Sequence, residues 1–383
     1  MIKNNIKLLV IILILSYLTV PVFCGEVKTG TDNDITVYGY FKLDMAYDDS
    51  RVDAGNFAKW TLSEANIVDD NQFSVTANQS RFGLKFAGAD RDGAMASGKL
   101  EVDFYGGGSE NKANIMMRHA FMKVAWPAKN FSILAGQTSD VMSPLVPGTV
   151  NYSVAWWAGN YGYRRPQLRF TKDFPAGESK LQVAAAFART IGDDDANGLA
   201  DSGQDAGYPG DMQARVGYES KKVSVGVSGH TGNEQYDIDA SGNFVDYNTS
   251  SVNLDVKLAL SSKLVFKAEA WSGLNMDAYL GGIGQGINTT LARGIAATGG
   301  WASLKLGPFG SRCFELGAST DDPDDNDLNN GARSLNTMVF GNVWYKINGD
   351  VKAGLEISTW NTAYKNAASG EAMRVQGSMV YSF

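Results

Sequence analysis

The sequence predicts an all-β fold, namely a closed, up-and-down antiparallel barrel of 16 strands that spans a membrane. Three observations predict it. Sixteen segments alternate apolar and polar residues, the links between them alternate in length, and the last segment ends on an aromatic residue. A period of two places successive side chains on opposite faces of a strand. In a membrane barrel, one face meets lipid and the other meets a wet interior.

The amino-terminal residues have the pattern of a removable export signal. Lys3 and Lys7 flank the start of an apolar run at residues 8–20, and Cys24 follows in the cleavage zone. The run is too short for a spanning helix. Acylation of Cys24 is the alternative, but the bulky Phe23 before it argues against a lipoprotein signal. We therefore expect a signal peptide at residues 1–24, a short amino-terminal segment at 25–34 and the barrel at 35–383.

Composition limits the class of protein. The full chain has a net charge of −7, and the mature chain is more acidic because two lysines lie in the leader. That acidity argues against nucleic-acid binding. Cys313 is the only cysteine beyond the leader, so no intrachain disulfide forms in the mature chain. No later segment approaches about 18 consecutive apolar residues, so no helical membrane anchor is predicted.

The first strand, at residues 35–47, shows the alternation clearly. Ile35 to Tyr47 place an apolar set on one face, whereas Lys42 and Asp44 lie on the other. Similar segments follow at residues 79–86, 94–104, 116–126, 131–137, 165–171, 181–190, 212–219, 223–230, 251–260, 264–274, 295–306, 312–320, 335–347, 351–360 and 372–383. The final segment exceeds the roughly 9–11 residues that a tilted strand needs to cross a bilayer. Its terminal Phe383 resembles the ending of bacterial outer-membrane barrels, where this residue is an assembly signal.

The connections support closure. Short links occur at residues 220–222, 261–263, 307–311 and 348–350, and long ones at 48–78, 138–164, 191–211, 231–250, 275–294 and 321–334. Short periplasmic turns and long outer loops are typical of outer-membrane barrels. A β-sandwich gives no reason for this alternation. An open sheet would leave unpaired edges in lipid, so the sheet closes, and 16 strands enclose a water-filled lumen.

The link at residues 138–164 is unusually aromatic. It contains Trp156, Trp157 and Tyr161, which suit burial better than an exposed loop. We expect this third outer loop to fold into the barrel and pack against the lumen wall. An outer cap or a contact between subunits is the alternative.

Several short motifs resemble one family. They are "SRFGLKF" at residues 80–86, "RHAF" at 118–121, "GQTSDVMSP" at 136–144, "YRRPQLRFT" at 163–171 and "GNVWYKI" at 341–347. Their order and spacing are similar to those of the DcaP-like trimeric porins and, more distantly, of general porins. The resemblance implies a homotrimeric channel in the bacterial outer membrane that passes small anionic solutes such as dicarboxylates. It also implies contact with outer-membrane lipid and lipopolysaccharide.

General porins oppose a ladder of lumenal arginines to acids on the third loop. By order along the chain, the resemblance assigns Arg81, Arg118 and Arg165 to that ladder. The position of Arg118 is open, because its face also holds apolar residues. The fourth strand could instead point His119 and Lys123 into the lumen.

Alternation supplies further pore candidates. Lys42, Lys85 and Arg169 lie on polar faces, and Asp140 is the only acid in the third loop. With the ladder and the loop aromatics they predict a net-positive constriction that prefers anions, since arginine pairs well with carboxylates. Acids on the polar faces oppose this prediction and would leave weak selectivity; they are Asp44, Glu101, Asp103, Glu269, Glu315 and Glu356.

Two outer links, at residues 193–205 and 321–331, are strongly acidic. The "DDDANG" motif at 193–198 matches the opening of a calcium loop, but Gln204 stands where an EF-hand needs Glu. Loose bridging by divalent ions, or contact with lipopolysaccharide, is the alternative to a defined site. We predict no cofactor and no structural metal.

Catalysis has little support in the sequence. His119 and His230 are the only histidines, and neither lies in a nucleophile motif. We therefore predict a channel and no enzyme. The alternative function is a structural or adhesive barrel whose lumen is plugged and whose acidic outer loops carry the activity.

Overall fold

A computed structural model describes residues 26–28, 33–55, 57–66, 70–107, 112–189, 210–237 and 244–383. Within these ranges, 16 strands, labelled β1–β16, form one closed antiparallel barrel, which confirms the predicted fold class. Each strand pairs with its neighbours in sequence, so the topology is up-and-down.

The strand bounds are as follows. β1 is Asn33–Asp48, β2 is Gln72–Thr76 together with Arg81–Arg91, β3 is Ala94–Asp103, β4 is Met116–Trp126, β5 is Phe131–Ser139, β6 is Arg164–Ala176, β7 is Ser179–Ala188 and β8 is Asp211–Glu219. β9 is Val223–Asp237, β10 is Phe244–Ser261, β11 is Leu264–Leu274, β12 is Ala296–Phe309, β13 is Arg312–Pro323, β14 is Arg333–Lys346, β15 is Val351–Tyr364 and β16 is Ala367–Ser382.

Shorter elements complete the described chain. Three-residue 3₁₀ turns occur at Glu64–Asn66, Pro127–Lys129, Asp277–Tyr279, Gly282–Gly284 and Asp325–Asp327. Two small hairpins pair Val52–Asp53 with Trp60–Thr61, and Ile287–Asn288 with Arg293–Gly294. Among the described residues, no helix is long and apolar enough to cross a membrane.

The barrel closes between β1 and β16. Residues Tyr40 to Asp48 of β1 pair with residues Ser382 to Arg374 of β16, and the other edge of β1 pairs with both pieces of β2. The terminal residue completes the seam, because Gly39 N donates to the backbone oxygen of Phe383 at 3.0 Å. In the predicted amino-terminal segment, Glu26–Lys28 forms a short strand that pairs with the start of β1.

Burial is inverted relative to a water-soluble β-protein. On β16, Met373 and Met379 are 43% and 52% exposed, whereas Arg374 and Gln376 are 0% and 1% exposed. An apolar outer face and a polar inner face are what a wall between lipid and water requires. The sheet is therefore a transmembrane wall.

Several strands extend beyond their predicted limits. Gln72–Thr76 belongs to β2 although it was predicted as loop, and β9 and β10 continue to Asp237 and from Phe244. The predicted link at residues 361–371 is mostly strand, with a turn at 365–366. The boundaries of β9 and β10 were wrong because the hydrophobic period fades toward the long loops. Gln72–Thr76 keeps the alternation, with Phe73 and Val75 exposed and Ser74 and Thr76 buried, so there the signal was present and was missed.

Three outer loops enter the lumen in the part of the chain that the structure describes. We name them loop 1 (residues 49–71), loop 3 (140–163) and loop 6 (275–295). Loop 3 folds inward as predicted, and Met142, Val150, Ala158 and Tyr161 are each 2% exposed or less. Loops 1 and 3 build one apolar cluster on the wall, made of Val52, Ala58, Ala155, Ala158, Met338, Phe340, Trp360 and Ala372. Loops 3 and 6 build a second, made of Met142, Tyr161, Trp271, Met276, Tyr279 and Ala297.

Candidate functional site

Wall carboxylates hold loop 3 in place. Glu269 of β11 accepts hydrogen bonds from Ser143 Oγ at 2.6 Å and from Leu145 N at 2.9 Å. Glu315 of β13 accepts one from Gly148 N at 2.9 Å. Buried backbone N–H groups need acceptors, and a carboxylate supplies a strong one. These acids therefore fix the first half of loop 3 along the wall.

The tip of loop 3 is fixed in the same way on β15. Glu356 accepts hydrogen bonds from Val150 N at 2.6 Å, Asn151 N at 3.3 Å and Asn342 Nδ2 at 3.0 Å. Lys42 of β1 donates to Val150 O at 3.0 Å. Three of the six acids that were expected to oppose anions thus anchor the loop, with their oxygens occupied by N–H and O–H donors.

Arg118 of β4 lies in a carboxylate pair beneath the loop tip. Its Nε is 2.9 Å from Glu101 Oε1 and its Nη1 is 2.6 Å from Asp103 Oδ2. Tyr152 of loop 3 donates to Asp103 Oδ2 at 2.6 Å and accepts from Arg118. Burial raises the pKa of Tyr152 to about 12, so this phenol remains a donor. The charge of Arg118 is therefore matched within the wall.

The sequence left open whether Arg118 or His119 faces the lumen. In the structure, both side chains contact groups of the inner wall. The register between β3 and β4 shifts between Glu101 and Val102, as in a β-bulge. As a result, Arg118 pairs with lumenal acids while His119 Nδ1 lies 3.0 Å from Thr138 Oγ1 on the same wall. A bulge of this kind has no signal in the alternation of one strand.

Arg165 and Asp140 form a buried clamp. Arg165 is 0% exposed, and its Nε lies 2.9 Å from Asp140 Oδ1 while its Nη1 lies 3.3 Å from Asp211 Oδ2. Its Nη2 donates to Ala278 O of loop 6 at 3.0 Å, and its guanidinium stacks 3.7 Å from the Tyr279 ring. The clamp joins β6 and β8 to loops 3 and 6. Arg165 therefore lies away from open lumen, whereas Asp140 also borders an open cavity of the lumen.

The other predicted basic residues differ in exposure. Lys42 is 5% exposed and pairs with Asp44 at 3.1 Å, below the loop tip. The Arg81 side chain is 19% exposed and lies 3.5 Å from Glu101. Lys85 is exposed, with its Nζ 4.7 Å from the ring of Tyr38. Only Lys85 of these three faces open space without a carboxylate partner among the described residues.

The predicted aromatics divide between two positions. Trp156 and Trp157 are half-buried and pack around Phe57 of loop 1, with ring centroids 6.3 Å and 5.8 Å away. Tyr161 is buried against Trp271 at 5.2 Å. The tryptophans thus join loops 1 and 3, whereas Tyr161 seals loop 3 onto β11.

On the short-turn side of loop 3, the wall carries basic residues that no carboxylate matches in the described part of the chain. Arg169 and Lys257 line a cavity of about 550 Å³, which Asp140 and Glu219 also border without pairing with either cation. Lys305 and Lys352 line a second cavity of about 500 Å³. On this side of loop 3, six lumenal cations form no ion pair with a carboxylate in the described chain: Lys85, Lys123, Arg169, Lys257, Lys305 and Lys352.

Sequence reasoning missed three of these residues, Lys257, Lys305 and Lys352, as pore candidates. All three lie inside correctly predicted strands. Lys257 and Lys352 lie on the face opposite outward apolar residues of their own strands, Leu254 and Leu355. Their polar phase was visible in the sequence. Their lack of partners was not, because that depends on strands far away in the chain.

The acidic links yield no defined metal site in the described residues. Asp324 caps the Asp325–Asp327 turn by accepting from Asn326 N at 2.9 Å, and Asp327 pairs with Arg293 at 3.1 Å. No group of three metal-binding side chains occurs in the described chain. The predicted calcium motif at residues 193–198, like the leader, lies outside the described residues.

Solved structures share this architecture, although no protein-family profile and no curated protein sequence matches the chain. The outer membrane channel DcaP of Acinetobacter baumannii matches with 20% identity over 94% of this chain and 100% of that chain, at a TM-score of 0.76. An anion-selective porin from Comamonas acidovorans matches with 12% identity over 92% and 100%, at 0.60. OmpF of Salmonella typhi matches with 14% identity over 94% and 100%, at 0.55.

At these identities the likeness concerns the fold. It confirms the resemblance that the motifs indicated, since the neighbours are outer-membrane channels with the same barrel architecture. Together with the apolar outer wall, it places the chain in the bacterial outer membrane. The chain has the sixteen-stranded fold of DcaP and of the bacterial outer-membrane porins.

Proposed function

We propose that the protein is a diffusion channel for small hydrophilic solutes that prefers anions such as dicarboxylates. The observation that carries this proposal is an imbalance of lumenal charge. The six cations listed above have no carboxylate partner in the described chain. By contrast, arginines, lysines or loop 3 donors engage five lumenal acids, namely Asp48, Glu101, Asp255, Glu269 and Glu356.

The imbalance is local, which reconciles it with an acidic protein. Asp255 pairs with Arg215 at 2.7 Å, and Asp48 pairs with Arg374 at 2.8 Å. Paired charges largely cancel at a distance, and unmatched ones set the potential that a solute meets. A low-dielectric wall focuses that potential along the lumen. Anions therefore cross the short-turn half of the lumen against a lower barrier than cations do.

Similar proteins agree with this proposal. One structural neighbour is described as an anion-selective porin, and another, OmpT of Vibrio cholerae, was solved in a trimer form. We extend both properties to this chain as part of the proposal, together with contact between its outer surface, lipid and lipopolysaccharide. The porin-like neighbours favour a channel over an enzyme.

One observation favours the alternative of a plugged structural barrel. Loops 1, 3 and 6 enter the lumen and build apolar clusters that contain fully buried residues such as Ala58 and Met276. These clusters narrow the outer half of the barrel. Electrical conductance separates the two functions, because a filled lumen passes no ions.

The first test is single-channel recording of the mature protein in planar bilayers with a potassium chloride gradient. We expect discrete conductance steps and a reversal potential of the sign that chloride permeation gives. Addition of succinate should interrupt the chloride current. Absence of steps would favour the plugged barrel, and a potential of the opposite sign would contradict the anion preference.

Cys313 offers a second test, which probes the electrostatic potential inside the lumen. This half-buried thiol lines the same cavity as Lys305 and Lys352. An anionic methanethiosulfonate should modify it at least about threefold faster than a cationic one, relative to the same pair of reagents on a small free thiol. The double change Lys305→Gln and Lys352→Gln should remove most of that difference.

The control for the labelling test is Cys313→Ser, which should not react. Equal reaction rates for the two reagents on the native thiol would contradict an electropositive cavity. A reaction that requires unfolding would show that the cavity is closed to solvent.

A further inference from the structure

Arg164 is a buried cation that no acid of the described chain matches. It is the first residue of β6 and is 6% exposed, and its Nε has no hydrogen-bond partner. Its guanidinium lies 4.9 Å from the Tyr163 ring and 5.7 Å from the Trp156 ring, both in loop 3. Among the described residues, no carboxylate pairs with it.

Two other buried arginines nearby do contact carboxylates. Arg118 contacts both Glu101 and Asp103. Arg165, the next residue in the chain, contacts Asp140 and Asp211. Two buried arginines thus have two carboxylates each, whereas Arg164 has none.

This difference needs a physical explanation. Removal of a guanidinium from water is unfavourable unless an opposite charge and hydrogen bonds compensate it. Two aromatic faces compensate only part of that cost, because a cation–π contact is weaker than an ion pair in a dry site. The stacked rings also leave the edge of the guanidinium, where its N–H groups lie, available to an acceptor. The missing counter-charge is what a passing anion would supply.

We propose that Arg164 binds the carboxylate of a solute as it passes loop 3 and thereby determines specificity. This inference rests on the proposed anion channel and names the residue that selects its cargo. Trp156 and Tyr163 hold the guanidinium plane, so its edge can form two parallel hydrogen bonds to one carboxylate. The lysines of the short-turn half attract anions in general, whereas Arg164 recognises the planar carboxylate.

The test compares four proteins in planar bilayers: the native chain, Arg164→Gln, Arg164→Lys and Arg293→Gln. Arg293 is a matched control, because it is an outer-loop arginine with a half-exposed side chain. Each protein is measured for its reversal potential in a potassium chloride gradient and for block of the chloride current by succinate.

We expect Arg164→Gln to weaken succinate block about tenfold or more, as the loss of charge-assisted hydrogen bonds implies. Its reversal potential should move toward that of an unselective pore. Arg164→Lys keeps the charge but loses the planar guanidinium and its two parallel N–H donors. It should therefore retain the reversal potential and still weaken succinate block. Arg293→Gln should match the native chain in both measurements.

The outcomes separate the two proposals. If the native pore is anion-selective and Arg164→Gln matches it in block and selectivity, the role of Arg164 is refuted and the channel proposal stands. If the native pore shows neither anion preference nor succinate block, both proposals fall. If Arg164→Gln does not fold, Arg164→Lys provides the test. Succinate block as strong in that variant as in the native chain would refute the requirement for a guanidinium.

Discussion

A lumenal charge influences a solute only if the wall leaves it unmatched. Arg165 and Arg169 lie four residues apart on β6, yet Arg165 is clamped between two carboxylates while Arg169 hydrogen-bonds Gln167 and lines a cavity. The first is part of the scaffold, and in the proposed channel the second is part of the selectivity filter. Residue type and strand phase do not distinguish these roles, whereas the partners do.

The clamp makes a prediction about stability. Replacement of Arg165 by Met leaves Asp140 and Asp211 buried without their counter-charge, and should lower the free energy of unfolding by about 3–5 kcal/mol. Guanidinium unfolding of the barrel in lipid vesicles measures this loss.

Arg81→Met is the matched control for the clamp. Arg81 is partly exposed, and Glu101 would retain Arg118 and Lys99, so its loss should cost less than about 1 kcal/mol. Equal losses for Arg81→Met and Arg165→Met would show that the clamp has no special role.

At the scale of the element, loop 3 depends on wall acids for its position. Its own contacts are mostly with other loops and with distant strands, and its backbone N–H groups point at Glu269, Glu315 and Glu356. Because three carboxylates hold loop 3 in the lumen, replacement of any one of them should change the width of the proposed pore. The acids that were expected to counteract selectivity thus set the geometry in which it operates.

Glu356 gives the sharpest test of this anchoring. In Glu356→Gln one acceptor oxygen becomes a donor, so the bonds from Val150 and Asn151 cannot both persist, which should cost about 1–3 kcal/mol of local stability. We expect larger and noisier single-channel currents.

Glu371→Gln serves as the control for Glu356→Gln, because Glu371 is exposed and, among the described side chains, accepts a hydrogen bond only from Asn361 across the outer hairpin of β15 and β16. Quiet, native-like currents from Glu356→Gln would argue that loop 3 is held by its apolar contacts alone.

At the scale of the whole molecule, the barrel is closed by its two ends. The Phe383 ring lies 5.4 Å from Phe41 and 6.5 Å from Tyr381, and Gly39 exchanges backbone hydrogen bonds with Phe383. A Cβ on Gly39 would lie 2.3 Å from the Arg81 backbone oxygen and 2.8 Å from the Phe383 ring. The seam therefore has room for this terminal residue only opposite a glycine.

Deletion of Phe383 should slow closure and reduce the folded fraction. The chain would lose two ring contacts of about 0.5–1.5 kcal/mol each, together with backbone hydrogen bonds at the seam. The heat-modifiable band on gels, after refolding into lipid vesicles, measures the folded fraction.

The control for the deletion is Phe174→Ala, which removes an outward phenylalanine of β6 that is 48% exposed and lies away from the seam. A folded yield as high for the deletion as for this control would exclude a special role for the terminus.

The barrel wall was predictable because each strand alternates apolar residues, which face lipid, with polar residues, which face water. Phe41, Lys42 and Met45 take the faces that their alternation predicts. Ion pairs leave no such pattern in the local sequence, because the two partners can lie far apart along the chain. Asp48 and Arg374 contact each other at 2.8 Å across 326 positions, and that contact exists only because the sheet closes. Arg164 and Arg165 are neighbours of the same type, and only tertiary contacts tell them apart.

The anchors of loop 3 have a consequence for biogenesis. Ser143, Gly148 and Val150 bond to residues 126, 167 and 206 positions further along the polypeptide. Loop 3 emerges early during export and can already contact Lys42 and Asp103, but the three wall acids that anchor it arrive only with the carboxy-terminal half of the chain. In the proposed channel, selectivity is therefore the last property that a maturing molecule acquires, and a prematurely terminated chain would lack it even where its early hairpins had formed.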